Sequence, residues 1–323
     1  MKVAVLQGGR SGEHDISLES AKAVLGALTT LGHEAWPLIF GRTGGARWPD
    51  GQGSFGRALL ALEQAKVDCA FIAMHGADGE DGRIQAALEL VGVPYQGSTV
   101  TASAVAMDKA RSKSVYRQSA IGVADDVTLR PTDLPDWAEV VAAVGLPCVL
   151  KTAESGSSVG IEIVDSAGQL AERGAALLGS GTDSLLIESY VTGREFTVAV
   201  LEHMDGSLQA LPPVEIRPVE ARFFDYEAKY TPGATDEICP APIDALLTER
   251  LQEIGVRAHG ALGCRHYSRT DFIVRASDGA PVVLETNTLP GMTPVSLLPK
   301  AAAAAGMTFA QLVDHLLQLA TAR

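Results

Sequence analysis

The first hundred residues alternate short apolar runs with helical stretches, and this alternation restricts the fold more than any other feature. Residues 2–6 are apolar and end at glycines, and a helical pattern, predicted to be capped by Ser17, then runs to about residue 31. A second apolar run, 69–74, precedes a helix predicted over 83–91. The pattern predicts a parallel sheet with functional loops at the carboxyl ends of its strands.

Beyond residue 98 the pattern changes. A continuous helix is predicted over 101–118, and a turn-rich joint at 131–135 leads into a β-rich region. Strands are predicted at 147–151, 160–164, 184–188, 196–201, 270–274 and 281–285. The polar, aromatic stretch 222–240 has no period and is predicted to be a functional loop. The glycine-rich stretch 41–54 is expected to be an exposed excursion without chemistry, and 301–323 to be two helices separated at Gly306.

Composition excludes several classes of protein. The 323 residues include 26 basic and 39 acidic side chains, for a net charge of −13, which disfavours a broad nucleic-acid surface but leaves room for a small anionic ligand in a pocket. The four cysteines lie far apart and form no zinc or redox motif. No apolar stretch predicts a membrane span, and the first residues lack the features of a signal peptide, so we expect a cytoplasmic protein.

A glycine- and serine-rich loop, 156–160, follows a predicted strand that ends at Lys151. Small residues allow backbone N–H groups to approach an anion, and Ser157 and Ser158 add hydroxyl donors. The stretch fits an ordinary structural hairpin as well as a phosphate loop, and it is not a Walker loop because no Gly-Lys-Ser/Thr follows.

Two predicted strands near the C-terminus carry Asp271, Glu285 and Asn287. Residues two apart on a strand share a face, so Glu285 and Asn287 point together, and Asp271 on the preceding strand can lie opposite them. Carboxylate and amide oxygens are typical ligands of Mg²⁺ that is bound to nucleotide phosphates. Solvated edge strands are the alternative, which is disfavoured because the acids interrupt apolar runs.

Two further segments suit charged groups of a small substrate. The N–H of Gly291 and a helix predicted to start at Ser296 can hold a carboxylate or a developing oxyanion. Near the N-terminus, Glu13 stands beside a predicted helix start, where it can bind an ammonium group. His75 ends a strand and becomes a candidate substrate contact beside Glu13.

Taken in order, these motifs resemble the D-alanine–D-alanine ligase family of ATP-grasp enzymes over almost the whole chain. The matching segments are GGRSGEHDIS (8–17), MHGADGEDGRIQ (74–85), PYQGS (94–98), MDKARSK (107–113), GSSVG (156–160), LLIESYVTGREFTVAV (185–200), FFDYEAKY (223–230), CPAP (239–242), RTDF (269–272) and LETNTLPGMTPVSLLPKAA (284–302).

The resemblance implies an α/β protein of three-domain ATP-grasp architecture, in which two α+β domains sandwich ATP. The implied domains are an N-terminal parallel α/β substrate domain (1–100), a central ATP-grasp domain (101–189) and a C-terminal catalytic ATP-grasp domain (190–323) with a mobile loop (222–240). A homodimer is also implied.

The resemblance also assigns roles in binding ATP and two Mg²⁺ ions, for which Mn²⁺ can substitute. The residues implied for the nucleotide are Lys109, Lys151 and Ser158 at the phosphates, Glu188 at the adenine, Glu195 at the ribose, and Lys229 from the mobile loop. The implied metal ligands are Asp271, Glu285 and Asn287.

A third group of implied residues handles the two D-alanine molecules. Glu13 would hold the first ammonium group near Ile16 and His75, Arg269 and Gly291 would stabilise the oxyanion, Ser296 and Leu297 would receive the second carboxylate, and Ser157 and Tyr230 would form a hydrogen-bonded chain with Glu13. Three departures from the family pattern, at Phe224, Thr152 and His266, fall on none of these roles.

The activity that the resemblance implies is ATP-dependent ligation of two D-alanines through a D-alanyl phosphate, with release of ADP and phosphate, for peptidoglycan precursor synthesis. Three alternatives differ from it: a D-alanyl-D-lactate ligase, an ATP-grasp activator of bicarbonate, and a nucleotide-binding regulator without catalysis. The intact EAKY segment (227–230) favours the dipeptide over the depsipeptide. An activator of bicarbonate would have no role for Glu13. The presence of every implied metal and phosphate ligand argues against a regulator without catalysis.

Overall fold

The computed structural model describes residues 1–154, 161–218 and 235–322, whose strands form three sheets. The first part of the chain contains β1 (Lys2–Gly8), α1 (His14–Thr30), β2 (Glu34–Phe40), β3 (Ala46–Trp48), β4 (Gly51–Gly53), α2 (Phe55–Gln64), β5 (Cys69–Ile72) and α3 (Arg83–Leu90). The strand order is β4-β3-β2-β1-β5, and β1 pairs in parallel with both β2 and β5. This part agrees with the alternating pattern of the sequence.

An antiparallel hairpin extends this sheet at one edge, where only an excursion was expected. β3 pairs with β2, and β4 pairs with β3, both antiparallel. Gly44 and Gly45 have φ angles of 89° and 80°, so the chain can reverse tightly before β3. The hairpin has no apolar alternation of its own, which is why its strands escape a pattern-based prediction.

Helix α1 begins at His14, and the prediction that Ser17 caps it is wrong. Glu13 occupies the N-cap position, and Ser17 lies within the first turn. The Ser17 hydroxyl is buried and bonds to groups at the ends of β1 and β5 instead. A tertiary contact therefore uses the hydroxyl that local sequence rules would assign to the cap.

The predicted continuous helix over 101–118 is two helices, α4 (Val100–Met107) and α5 (Lys109–Gln118). Asp108 ends the first with extended backbone (φ −85°, ψ 99°), and its carboxylate accepts a hydrogen bond from Arg111 N at 3.0 Å. The break places Lys109 in the first turn of α5.

The second sheet has the antiparallel order β6-β9-β7-β8. Its elements are β6 (Asp126–Leu129), α6 (Trp137–Val144), β7 (Cys148–Thr152), β8 (Glu162–Val164), α7 (Ala167–Gly179) and β9 (Leu185–Ser189). Asp126 lies directly opposite Glu188 in the pairing of β6 with β9. Lys151 lies on β7 opposite Leu186, so acids and a lysine gather on neighbouring strands.

The third sheet is antiparallel and is followed by the C-terminal helices. The elements are β10 (Gly193–Glu202), β11 (Leu208–Ala210), β12 (Val214–Pro218), β13 (Thr235–Ile238), α8 (Ala245–Ala261), β14 (Tyr267–Arg275), β15 (Pro281–Asn287), α9 (Leu297–Ala304) and α10 (Phe309–Thr321). The order is β13-β12-β10-β14-β15, and β11 pairs with β10. The predicted break at Gly306 is confirmed, with a φ of 87° between α9 and α10.

The C-terminal helices share an apolar core with the first sheet. Leu298 and Leu312 are fully buried in the same cluster as Leu6 and Leu28. This packing brings the segment before α9 against α1, where Met292 N donates a hydrogen bond to Ser20 Oγ at 3.4 Å. Among the described residues, no helix combines the length and apolarity needed to cross a bilayer.

We predict that Gly8→Ala destabilises the protein and that Gly26→Ala does not. Gly8 has a φ of 83°, and a Cβ there would lie 2.2 Å from the Phe40 carbonyl oxygen, so the first substitution should cost more than about 2 kcal/mol. Gly26 lies in α1 with open space around it, so an alanine should stabilise by about 0.5–1 kcal/mol. The measurement is the midpoint of thermal unfolding, and equal midpoints for the two variants would contradict this account.

Candidate active site

The buried hydroxyl of Ser17 ties together the carboxyl ends of β1 and β5. It accepts a hydrogen bond from Gly8 N and donates one to Ala73 O, both at 2.8 Å. The loops that follow the two strands therefore begin side by side. One of them carries Glu13 and the other carries His75, so the structure brings these two predicted residues together.

The side chain of Glu13 lies where it does because Gly76 has no Cβ to exclude it. Its side chain does not cap α1, and a Cβ on Gly76 would lie 2.6 Å from Glu13 Oε2. Ser11 supports the same loop, because its hydroxyl donates to His75 O at 2.7 Å and accepts from Glu13 N at 3.2 Å. The Glu13 carboxylate is thus held over the His75–Gly76 turn.

His75 lies between a hydroxyl and a carboxylate that sequence reasoning did not assign to the site. Its Nε2 is 2.9 Å from Ser20 Oγ, and its Nδ1 is 3.4 Å from Glu80 Oε1. Burial lowers the pKa of His75, but Glu80 and then Glu13 raise it, and the net pKa is above its ordinary value. Burial and Glu13 raise the pKa of Glu80. The signal for Glu80 was its place five residues after a histidine that ends a strand.

The ladder between β14 and β15 brings together the predicted metal ligands. Asp271 pairs with Glu285, and Arg269 pairs with Asn287 two residues along, so all four side chains share one face. Thr197 lies opposite Asp271 on the next strand, and its hydroxyl donates to Asp271 Oδ1 at 2.6 Å. Thr197 is a second residue that the sequence did not indicate.

Cations of the chain neutralise both carboxylates of this ladder. Arg269 donates two hydrogen bonds to Asp271, at 2.9 and 2.8 Å, and Lys109 Nζ lies 3.0 Å from Glu285 Oε2. Asn287 Oδ1 accepts from Leu289 N at 2.9 Å. No cluster of three histidine, cysteine or acidic side chains with metal-site geometry occurs among the described residues. Two carboxylates and an amide oxygen on one face are nevertheless a donor set that suits Mg²⁺.

One cleft joins the N-terminal loops to this ladder. Its lining includes Glu13, Glu80, Lys109, Glu285 and Asn287. The carboxylate suited to an ammonium group therefore faces the same space as the lysine and the oxygen donors suited to phosphate and metal.

Lys151 and Glu188 meet in a buried cluster on the second sheet. Lys151 Nζ forms a short ion pair with Glu188 Oε2, and Lys113 Nζ forms another with Glu188 Oε1. Burial raises the pKa of Glu188, but Lys151 and Lys113 outweigh it and bring the pKa down to about 2. Lys113 was not predicted as a site residue, although it lies one helical turn after Lys109 in the MDKARSK segment.

The segment before α9 places Gly291 against Ser296. A Cβ at Gly291 would lie 2.9 Å from Ser296 Oγ. Ser296 is the N-cap residue of α9, as expected, but its hydroxyl does not cap the helix and lies 2.7 Å from Thr293 Oγ1. Leu297 is buried in the first turn of α9.

The remaining predicted residues are spread more widely. Ile16 is half-buried in the first turn of α1, and Glu195 lies on β10 two residues before Thr197, on the same face. Ser157, Ser158, Lys229, Tyr230, Phe224 and most of the loop 222–240 lie outside the described residues.

Two of the departures from the family pattern lie in described parts of the chain. Thr152 ends β7. His266 has a φ of 63°, where glycine is favoured, and its Nδ1 accepts from Gly97 N at 3.1 Å. This hydrogen bond to the imidazole ring gives His266 a structural role that a glycine could not fill.

Family models match both ends of the chain. The model described as the D-ala D-ala ligase N-terminus matches residues 49–98, and the model of the C-terminus matches residues 116–318. The chain belongs to the D-alanine–D-alanine ligase family. Its mixed α/β fold has the ATP-grasp architecture of that family.

Individual relatives of the family match over nearly the full length. The D-alanine–D-alanine ligase of Syntrophobacter fumaroxidans is 45% identical over 99% of this chain and 97% of the relative. The ligase of Bacillus anthracis complexed with ATP superposes with a TM-score of 0.81 at 29% identity, covering 99% of this chain and 97% of that one. The VanG D-Ala:D-Ser ligase of Enterococcus faecalis has a TM-score of 0.82 at 30% identity, covering 98% of each chain.

We predict that Glu188→Gln reduces the loss of stability in acid. The folded pKa of Glu188 lies below its unfolded value near 4.5, so its contribution is present above that pH and is lost as the pH falls towards 2. Such a shift corresponds to about 3 kcal/mol. The free energy of urea unfolding should therefore fall less steeply from pH 5 to pH 2 in the variant than in the wild type.

The control is Glu162→Gln, which removes a carboxylate from a half-exposed pair with Arg173 and should follow the wild-type curve. The same pH dependence of the unfolding free energy in Glu188→Gln and Glu162→Gln would contradict this account.

Proposed function

We propose that this protein joins two D-alanine molecules into D-alanyl-D-alanine, with conversion of ATP to ADP and phosphate, and so makes a peptidoglycan precursor. The observation that carries the proposal is the shared cleft of Glu13, Lys109, Glu285 and Asn287. It combines a carboxylate for a substrate ammonium group with donors for phosphate and metal. Full-length similarity to D-alanine–D-alanine ligases supports the same activity.

The chemistry requires that the first D-alanine be activated. A carboxylate is not attacked by an amine until one of its oxygens becomes a leaving group, so transfer of the γ-phosphate forms D-alanyl phosphate. The amine of the second D-alanine then attacks the acyl carbon, and phosphate leaves. In this scheme Lys109 and Lys151 hold the nucleotide phosphates, while Glu188 and Glu195 contact the adenine and the ribose.

The ladder supplies the proposed ligands of two Mg²⁺ ions. Asp271, Glu285 and Asn287 would hold them, with Mn²⁺ as a substitute. The bound cations would neutralise charge on the phosphates during the transfer. Lys109 Nζ lies 3.0 Å from Glu285 Oε2, so a metal ion would have to share that carboxylate with the lysine or displace it.

The remaining roles concern the amino acids. Glu13 orients the first ammonium group, with Ile16 and His75 beside it, and Ser296 and Leu297 receive the second carboxylate. Arg269 and the Gly291 N–H stabilise the tetrahedral oxyanion. The loop 222–240, with Lys229 and Tyr230, would cover the site together with Ser157 and Ser158. The domains 1–100, 101–189 and 190–323 and the homodimer remain predictions.

The expected substrate preference follows from the amine nucleophile. Phosphate release from ATP should be fast with D-alanine and slow with L-alanine or D-lactate. With D-lactate, the polar groups that pair with the amine would stay unpaired.

D-serine is a second candidate nucleophile, because the fold also matches a D-Ala:D-Ser ligase. It should be tested against D-alanine at equal concentration, with the products separated by mass. A mixed product that outweighs the homodipeptide would overturn the assignment to D-alanine.

We predict that Glu285→Gln lowers ligase activity by orders of magnitude while the fold is retained. The variant loses a carboxylate that would hold metal near the transferred phosphate. Phosphate release should be measured over a Mg²⁺ series, with circular dichroism as the check on folding. The matched control is Glu249→Gln on the exposed side of α8, which should keep wild-type activity. If Glu285→Gln stays within about twofold of the wild type, Glu285 does not belong to the site.

A further inference from the structure

We propose that Lys113 is a positioning residue for nucleotide binding. It is the permanent cationic partner of Glu188, and it thereby allows Lys151 to leave Glu188 for the phosphates of ATP. The inference rests on the proposed function, in which Glu188 contacts the adenine and Lys151 the phosphates.

Both lysines now bind one carboxylate, from opposite sides. Lys113 pairs with Glu188 Oε1 and Lys151 with Glu188 Oε2. The side chain of Lys113 is 1% exposed and that of Lys151 is 8% exposed, so Lys151 is the more accessible of the two. A nucleotide can therefore recruit Lys151 more readily than Lys113.

Lys113 also has a second partner, which keeps it in place. Its Nζ lies 3.1 Å from Asp126 Oδ1, and Asp126 is directly opposite Glu188 in the sheet. Two buried carboxylates at opposite positions repel each other, and Lys113 lies between them. Tyr116, three residues further along α5, anchors the helix through a hydrogen bond to Thr286 at 2.8 Å.

The charges of this cluster explain why Lys151 can leave. Three cations, Lys113, Lys151 and Arg117, contact two carboxylates, Asp126 and Glu188. When Lys151 moves to a phosphate, two cations still balance two carboxylates. Without Lys113, the departure of Lys151 would leave the buried Glu188 without contact to any cation of the described residues. Lys151 would then be retained on Glu188, because an unpaired buried charge is costly.

The test compares binding of AMP-PNP with binding of adenosine, both measured by calorimetry in the presence of Mg²⁺. Lys113→Met should weaken AMP-PNP by about tenfold or more and leave adenosine nearly unchanged, because only the phosphate contact is lost. Lys113→Arg keeps the charge and should restore most of the affinity. Arg173→Met removes an exposed cation of the same sheet region and should bind both ligands as the wild type does.

A double-mutant cycle shows whether Lys113 acts through Lys151. Lys151→Met should itself weaken AMP-PNP, and adding Lys113→Met to it should cause no further loss. Additive losses would overturn the inference, because Lys113 would then act independently of Lys151. An equal weakening of AMP-PNP and adenosine in Lys113→Met would also overturn it, since that result indicates general structural support.

A second variant covers the case in which Lys113→Met does not fold. The pair Lys113→Met with Asp126→Asn removes one cation and one carboxylate together, so the buried charge stays balanced. It should show the same phosphate-specific loss, because Glu188 is still left with Lys151 alone. Wild-type affinity for AMP-PNP in this pair would overturn the inference. If the wild type itself does not bind AMP-PNP, the proposed function fails, which is a separate result.

Discussion

Pairing of buried and half-buried carboxylates with cations of the same chain is the constraint on which the candidate site depends. Asp271 is bound by Arg269, Glu285 by Lys109, and Glu188 by Lys151 and Lys113. Each acid would otherwise be an uncompensated charge in a poorly solvated cleft. The lysines proposed to bind phosphate, Lys109 and Lys151, are thus among the groups that neutralise these carboxylates. Ligand binding must exchange one set of ion pairs for another, so nucleotide affinity reflects the difference between the two sets.

Helix α5 connects the parts that make this exchange possible. It presents Lys109 to the third sheet and Lys113 to the second, while Tyr116 bonds to Thr286 on the buried face of β15. The break at Asp108 is what orients it, because a helix continuous with α4 would carry these side chains in other directions. Lys109, Lys113 and Tyr116, at helical spacing on α5, therefore connect the second and third sheets, to which the proposed function assigns nucleotide binding.

Pattern and local chemistry predicted the strands of the site well and the helix ends poorly. The pairing of Asp271 opposite Glu285 follows from strand periodicity, which tertiary contacts rarely alter. The assignment of a cap to Ser17 failed because its hydroxyl bonds to groups at two strand ends. Ser296 is the N-cap residue of α9 as predicted, but its hydroxyl bonds locally to Thr293 instead of capping the helix. Thr197 carried no local signal, because its partner Asp271 lies 74 positions away in the sequence. The only signal for Glu80 was its place shortly after His75, its partner in the structure.

The sequence by itself determined the family, the alternation that builds the first sheet and the oxygen donors on β14 and β15. These features follow from periodicity and from side-chain chemistry at short range, which one chain displays directly. Only the tertiary structure decided which cation meets which carboxylate. The partners of Glu188 come from α5 and β7, 75 and 37 positions away, so no local pattern relates them. Ion pairing depends on distances of a few ångströms between side chains, and folding alone sets those distances.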